Sequence, residues 1–321
     1  MNILLTGGAG YIGSTTANLF LDKGHKVTII DDLSTGNKKN IPKKAKFLKF
    51  NINNKKYLTK LLKEQNFDLL IHFAAFIDVE ESVKKPKKYI INNYLNTKKL
   101  LKVCLANNLN KIIFSSTAAV YGNSKTGNVS ENSIKKPFSP YAVSKLKSEN
   151  FIKSKKKLNY VILRYFNVAG SDLRLRSGLI SKKKSTHLIK KICENFLKNK
   201  YIEIYGDNYP TKDGTAIRDY IHVYDLAYAH YKSAIYLLKH NKSDIFNCGY
   251  GKGYSVLQVI KTFNTINKKK IKIKFANRRR GDIYKLVAKV YKIKRNLKWH
   301  PKYNSLKKIL LSSLKWEKKL K

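Results

Sequence analysis

The chain has 321 residues, 43% of them hydrophobic, enough for one large or two ordinary domains with substantial cores, which excludes a disordered tail. Its formal charge of +47 points first to nucleic acid or an anionic surface, but only eight of the 67 basic residues are arginine, the side chain that phosphate and base readers favour. Lysine scattered in short runs beside abundant Asn and Ile is the profile expected of a genome biased toward A and T, which lysine-rich unrelated proteins from the same source would support, so no specific nucleic-acid partner is expected.

Met1 runs directly into the first expected strand, Asn2–Thr6, which leaves no room for a signal peptide. Further short apolar runs predict strands at Lys26–Ile30, Lys46–Phe50, Leu69–Phe73, Lys111–Ser115 and Tyr160–Arg164. Helical patterns lie between them near 11–23, 56–65, 88–107 and 141–155. This alternation predicts an α/β fold, a Rossmann-type doubly wound parallel sheet over residues 1–170. After Gly170 the pattern becomes irregular, with Pro210, Gly214, Gly251 and Gly253 marking turns. Residues 171–321 are expected to form a smaller α/β substrate-binding domain, with the chain crossing between the two more than once. No apolar run approaches the length of a membrane span, so no membrane partner is expected. Cys104, Cys193 and Cys248 form no C-x-x-C pair and the histidines show no H-x-x-x-H spacing, so neither a disulfide framework nor a metal site is indicated, and a reducing cytoplasm is the expected location.

Gly7, Gly10 and Gly13 follow the first strand and open the first helix. Glycine there permits a tight turn and lets the backbone approach a pyrophosphate at the helix N-terminus. Asp31 ends the second strand, at the distance where an acidic residue meets the adenosine ribose hydroxyls. Its carboxylate would repel a 2′-phosphate, which favours NAD over NADP. Tyr141 and Lys145 lie four residues apart, on one face of an expected helix, so the ammonium can reach what the phenol touches. A free tyrosine titrates near ~10, and bringing it down by about three units needs roughly 4 kcal/mol, which one lysine and a positively charged nicotinamide could supply. Windows without lysine, such as 112–124, 158–181 and 213–231, fall on several of these segments. Burial excludes lysine from a core strand, but several of the windows are polar and glycine-bearing, which core packing does not require.

Gly7–Gly13, Asp31-Asp-Leu-Ser-Thr-Gly36, His72-Phe-Ala-Ala75, Ser115-Ser-Thr117, Tyr141-x-x-x-Lys145 and Arg164-Tyr-Phe-Asn167 resemble the extended short-chain dehydrogenase/reductase superfamily. Continuing through Tyr205-Gly-Asp-Asn-Tyr-Pro-Thr-Lys-Asp-Gly-Thr-Ala-Ile-Arg-Asp-Tyr-Ile-His-Val223, the whole chain is similar to the UDP-hexose 4-epimerase family within it. The resemblance implies that UDP-galactose and UDP-glucose interconvert by transient oxidation at C4 with tightly bound NAD. Tyr141 would be the base, Lys145 would lower its pKa and bind the nicotinamide ribose, and Thr117 would hold the 4-oxygen. Tyr11, Ile12, Phe73, Ala74, Ala75, Asn93, Ser115 and Tyr165 would also line the cofactor. Asn51 and Ile52 would touch adenine; Asn51 stands where the family usually has an acid, and Ile77 where some relatives carry a lysine, which implies weaker cofactor binding. Arg218 and Arg279 would hold the diphosphate, Asp282 and Asn167 sugar, ribose or phosphate oxygens, and Tyr205 and Leu188 the nucleotide. His222 and Asp225 would order the cleft. A homodimer through the helices near 88–107 and 141–157 is implied, and Leu286 lies where relatives gate N-acetylated sugars.

Ala118 and Ala119 follow Thr117 where a 4,6-dehydratase shows Asp-Glu, which argues against elimination chemistry. A UDP-uronate or UDP-N-acetylhexosamine 4-epimerase needs only altered contacts and stays open. The run Arg278-Arg279-Arg280-Gly281-Asp282 can also be read as a nucleic-acid patch, and the +47 charge as that of a basic RNA- or DNA-binding protein on an inactivated dehydrogenase scaffold. Such a binder would show steep salt dependence and indifference to Tyr141→Phe.

Overall fold

The computed structural model describes residues 1–182, 185–267, 269–279 and 281–321; Arg280 of the basic run lies outside them. Strands β1 (Asn2–Thr6), β2 (Lys26–Ile30), β3 (Lys46–Leu48), β4 (Leu69–His72) and β5 (Lys111–Thr117) alternate with helices. After the two-residue β6 (Asn128–Val129) come β7 (Asn159–Tyr165), β8 (Asn167–Ala169), β9 (Ile202–Tyr205), β10 (Ile217–His222) and β11 (Asp244–Cys248). The chain closes with β12 (Gly253–Ser255), β13 (Ile273–Ala276) and β14 (Lys285–Ala288) before two final helices.

The large sheet is parallel throughout, in the order β11-β7-β5-β4-β1-β2-β3. Its strands are nearly continuous apolar runs because helices cover both faces. Ile3 and Leu5 pack into one buried layer and Leu4 into the other, as strand alternation requires. Strand order reverses between β1 and β4, so a crevice opens at their carboxyl ends, where doubly wound sheets take ligands. The remaining strands form a smaller sheet, β12-β10-β14-β6 with β8 beside β10, and the pair β13-β9. Strands β6 and β8 join the smaller sheet although they precede residue 171, and β11 returns to the large one.

Several elements differ from the sequence expectation at their ends, β4 stopping at His72 and β7 spanning Asn159–Tyr165. Strand β5 runs on to Thr117 because Ser116 and Thr117 pair with Arg164 and Tyr165 of β7. Strand β3 stops at Leu48, two residues early. The helix expected over 88–107 is interrupted by a π-helical turn, Ile90–Leu95, between Pro86–Tyr89 and Asn96–Ala106. There the Asn93 carbonyl accepts from both Thr97 Oγ1 (2.8 Å) and Ser148 Oγ (2.9 Å), an arrangement the regular ladder does not provide. No helix among the described residues is long and apolar enough to cross a membrane.

Candidate active site

The glycine loop is shaped by close approach. Gly7 has φ +75°, and a Cβ there would stand 2.6 Å from the Ala74 nitrogen, so the β1 and β4 loops touch only because no side chain intervenes. A Cβ on Gly13 would collide with the Gly7 carbonyl, so the helix Tyr11–Asp22 can start hard against the turn. Tyr11 and Ile12 open that helix; the Tyr11 hydroxyl donates to the Gly170 carbonyl at 2.6 Å and ties the loop to the chain leaving β8. Asp31 accepts from the nitrogens of Ala9 (3.0 Å) and Leu33 (2.8 Å), and burial raises its pKa. It therefore caps the loop, while a carboxylate's remaining lone pairs stay available.

Asn51 is bound locally. Its amide donates to Asp32 Oδ2 at 2.5 Å and its oxygen accepts from the Asn53 nitrogen at 3.1 Å, beside buried Ile52. Asn93 holds the loop after β4, accepting from the Phe76 nitrogen and donating to the Phe76 carbonyl, both at 2.9 Å. Phe73, Ala74 and Ala75 follow β4 at the mouth of the crevice, and the Phe73 ring lies 4.8 Å from that of His230. Ile77 is exposed.

Tyr141 and Lys145 sit on the helix Pro140–Lys153, which Ser139 caps by accepting from the Ala142 nitrogen at 3.2 Å, with Pro140 in the first turn. The partly buried Tyr141 phenol hydrogen-bonds Thr117, at the end of β5; burial pushes its pKa up to about 12 and the Thr117 bond pulls the other way. Lys145 is 3% exposed and donates to the Ser115 carbonyl at 2.7 Å, with its amine 4.9 Å from the Phe114 ring centre. Burial draws that amine down to about 7, opposed by the Glu149 carboxylate. The protein alone thus leaves Tyr141 neutral, and Lys145 is tethered to β5 rather than to the phenol.

A buried scaffold that spacing did not point to lies behind these groups. Glu149 and Arg164, 0% and 1% exposed, form a two-pronged pair (2.6 and 3.0 Å); Glu149 also accepts from Ser116 Oγ, and Arg164 donates to the Tyr121 hydroxyl and the Glu131 carbonyl. The sequence signals were Glu149 standing four residues after Lys145, as Lys145 does after Tyr141, and Arg164 opening the segment Arg164-Tyr-Phe-Asn167. Removing one partner leaves an uncompensated buried charge. Arg164→Met is expected to destabilise the fold by about 3 kcal/mol, read by denaturant unfolding. An unchanged midpoint would mean that the pair is not held as described.

Across the crevice, Arg279 lies 4.7 Å from the Tyr205 ring centre and donates to Asp282 at 2.9 Å. Arg218 is largely covered, faces Leu286 in register, and donates to the Ile217 carbonyl at 2.9 Å; burial holds its pKa below the usual arginine value. It makes no ion pair with any described residue, although a guanidinium carries five donors. Arg278 stacks on Tyr209 at 4.1 Å and bonds the Asn208 carbonyl, so it is spent within its own loop. Asn167 and Leu188 meet Tyr11 around a cavity of about 30 Å³. His222 and Asp225 serve packing. His222 accepts from the Tyr224 nitrogen and bonds Ser312, while Asp225 accepts from Tyr250, Lys302 and Tyr303. No described residues group three metal-binding side chains together.

Residues 3–249 match the model of the NAD dependent epimerase/dehydratase family. The chain is 41% identical to a UDP-glucose 4-epimerase of Azospirillum brasilense, over 99% of this chain and 92% of the other. Among solved structures it resembles the UDP-glucose 4-epimerase of Bifidobacterium longum in complex with NAD+ and UDP, at TM-score 0.92 and 33% identity, covering 99% and 98% of the two chains. It also resembles the UDP-Glc/GlcNAc 4-epimerase of Campylobacter jejuni, at TM-score 0.85 and 40% identity, covering 99% of each.

Proposed function

The chain belongs to the NAD dependent epimerase/dehydratase family, and from that premise we propose that it is an NAD-dependent isomerase interconverting UDP-galactose and UDP-glucose at C4. The observation that carries this reading is the meeting of Thr117, Tyr141 and Lys145 at the carboxyl end of β5. The glycine cradle and Asp31 fit a dinucleotide without a 2′-phosphate. When bound, NAD would accept the C4 hydride and return it to the opposite face, and its charged nicotinamide would add a cation beside the phenol.

Tyr141 removes the proton of the 4-hydroxyl and later gives it back, so its phenolate is the working form. Thr117 hydrogen-bonds Tyr141 and holds the 4-oxygen beside it. Lys145, fixed on Ser115, keeps a cation under the site. Arg218 and Arg279 hold the diphosphate, leaving the keto sugar free to turn over about its nucleotide anchor. Arg279→Ala is expected to raise KM for UDP-galactose roughly tenfold or more, with kcat changed far less, because diphosphate binding is common to ground and transition states. An unaltered KM would remove Arg279 from the binding site.

The test of the whole reading is the purified protein with UDP-galactose, followed for UDP-glucose with and without added NAD; silence in both ends it. A second reading, acceptance of UDP-N-acetylhexosamines, is supported by Leu286. It is 7% exposed and packs with Ala118 and Val120 beside Thr117, where a modest aliphatic chain leaves more room than an aromatic one. Conversion of UDP-N-acetylglucosamine by wild type, lost in Leu286→Tyr, would support it; no conversion by wild type would sink it. A homodimer is supported by exposed Ile91 and Leu95 on the outer face of the 90–106 segment, and a monomeric mass by light scattering would exclude it. Three buried free thiols are consistent with a reducing cytoplasm, a reading that secretion of the protein in its native cell would overturn.

A further inference from the structure

The Lys145 amine is the start of a hydrogen-bond chain that leaves the site and ends in a buried histidine. Lys145 Nζ lies 3.4 Å from Ser115 Oγ, Ser115 bonds the Tyr165 hydroxyl, and Tyr165 Oη lies 2.6 Å from His230 Nε2. His230 is fully buried on the helix Val223–His240, and its Nδ1 lies 2.9 Å from the Leu226 carbonyl.

Chemistry fixes the direction of each bond. A carbonyl only accepts, so Nδ1 carries the hydrogen and the neutral ring presents a lone pair at Nε2. Tyr165 must therefore donate to His230, and its oxygen is left to receive from Ser115. An ammonium has only donors, so Ser115 accepts from Lys145 and passes its own hydrogen to Tyr165. All three hydroxyl-linked bonds run from Lys145 toward His230, with oxygen lone pairs facing the cation.

We propose that His230 is a positioning residue for the reaction. By accepting at the far end, it polarises Tyr165 and Ser115 so that Lys145 stays charged and fixed beneath Tyr141. A protonated His230 would be a donor at both ends and would break one bond of the chain; burial, which pulls its imidazole down to about 4, keeps it neutral. The other groups facing Lys145 are Glu149 on its own helix and His72 on β4; Cys248 on β11 and Tyr141 face Tyr165, and Phe73 covers the imidazole. None of these supplies the missing acceptor at Tyr165. The kinetic part of this inference rests on the epimerase reading; the electrostatic part does not.

The test compares full-length wild type with His230→Leu and His230→Gln, using lysine labelled with 13C at Cε, the Lys145 signal being the one that disappears in Lys145→Met. In His230→Leu, Lys145 is expected to titrate about one pH unit lower, and the alkaline loss of kcat on UDP-galactose to begin about one unit lower. Gln, whose amide oxygen can accept from Tyr165, restores both. Tyr165→Phe keeps the ring, removes the hydroxyl, and should give the same shift if leucine at 230 does not fold. An unshifted Lys145 titration in a folded leucine or phenylalanine variant overturns the proposal, as does a folded Gln variant without rescue. A shifted titration in a chain that never epimerises UDP-galactose supports the hydrogen-bond chain and overturns the assigned reaction alone.

Discussion

Tyr141→Phe is expected to lower kcat for UDP-galactose by about 10³-fold, in the middle of the range that a positioned acid-base group contributes. The change removes one oxygen from a ring that otherwise keeps its place on the helix Pro140–Lys153. Thr117 loses its partner, but no buried charge is left unpaired, so stability and nucleotide binding should change little. Wild-type activity should rise with pH as the phenol ionises. Burial raises the Tyr141 pKa and the Thr117 bond lowers it, so the midpoint of that rise depends on how far Lys145 and the bound cofactor offset burial. Steady-state kinetics with a parallel measurement of bound NAD checks this. A phenylalanine variant within tenfold of wild type, with NAD retained, would assign the base to another group.

The second large effect is acid destabilisation. His72, His222 and His230 are buried and neutral, held down to about 3, about 3 and about 4 by desolvation. An unfolded chain binds those protons near ~6.5, so below that value the unfolded state takes up protons the folded state does not, and stability falls as pH falls until the folded values are reached. Asp219 works the other way. Burial raises it to about 6 despite three backbone donors, so the folded state gains one proton as pH falls from about 6 toward the carboxylate range. Three histidines against one aspartate leave roughly two protons from these four groups, or roughly 5 kcal/mol between about pH 6.5 and 4.5, and His25 and His187, also lowered by burial, act in the same direction. Asp31 and Asp225, also raised by burial, soften the lower end of that window. Denaturant midpoints measured across the window check the sign, and a flat profile would mean that the histidines titrate normally.

Features set within a few residues were legible from the chain. The glycine loop lies where β1 meets its helix, and the first two strands end where their apolar runs end. The pair Tyr141 and Lys145 shares a helical face because four residues make about one turn. By contrast, the acidic cap at Asp31, the pairing of Asn51 with Asp32 and the clamp of Asn93 on Phe76 are structural bonds of the binding candidates that no local pattern announced. Residue type states what a side chain can donate or accept, but its partner depends on which loops are neighbours in space.

From the sequence alone came the fold class, the cofactor type and the candidates for the reacting groups, because backbone period and side-chain chemistry are local properties. Tertiary structure alone decided what stands behind them. Glu149 meets Arg164 because β7 lies beside β5, and His230 reaches Tyr165 because the helix Val223–His240 crosses the sheet at that level. Strand order brings residues 65 or more positions apart to within 3 Å, and no pattern along the chain encodes that distance.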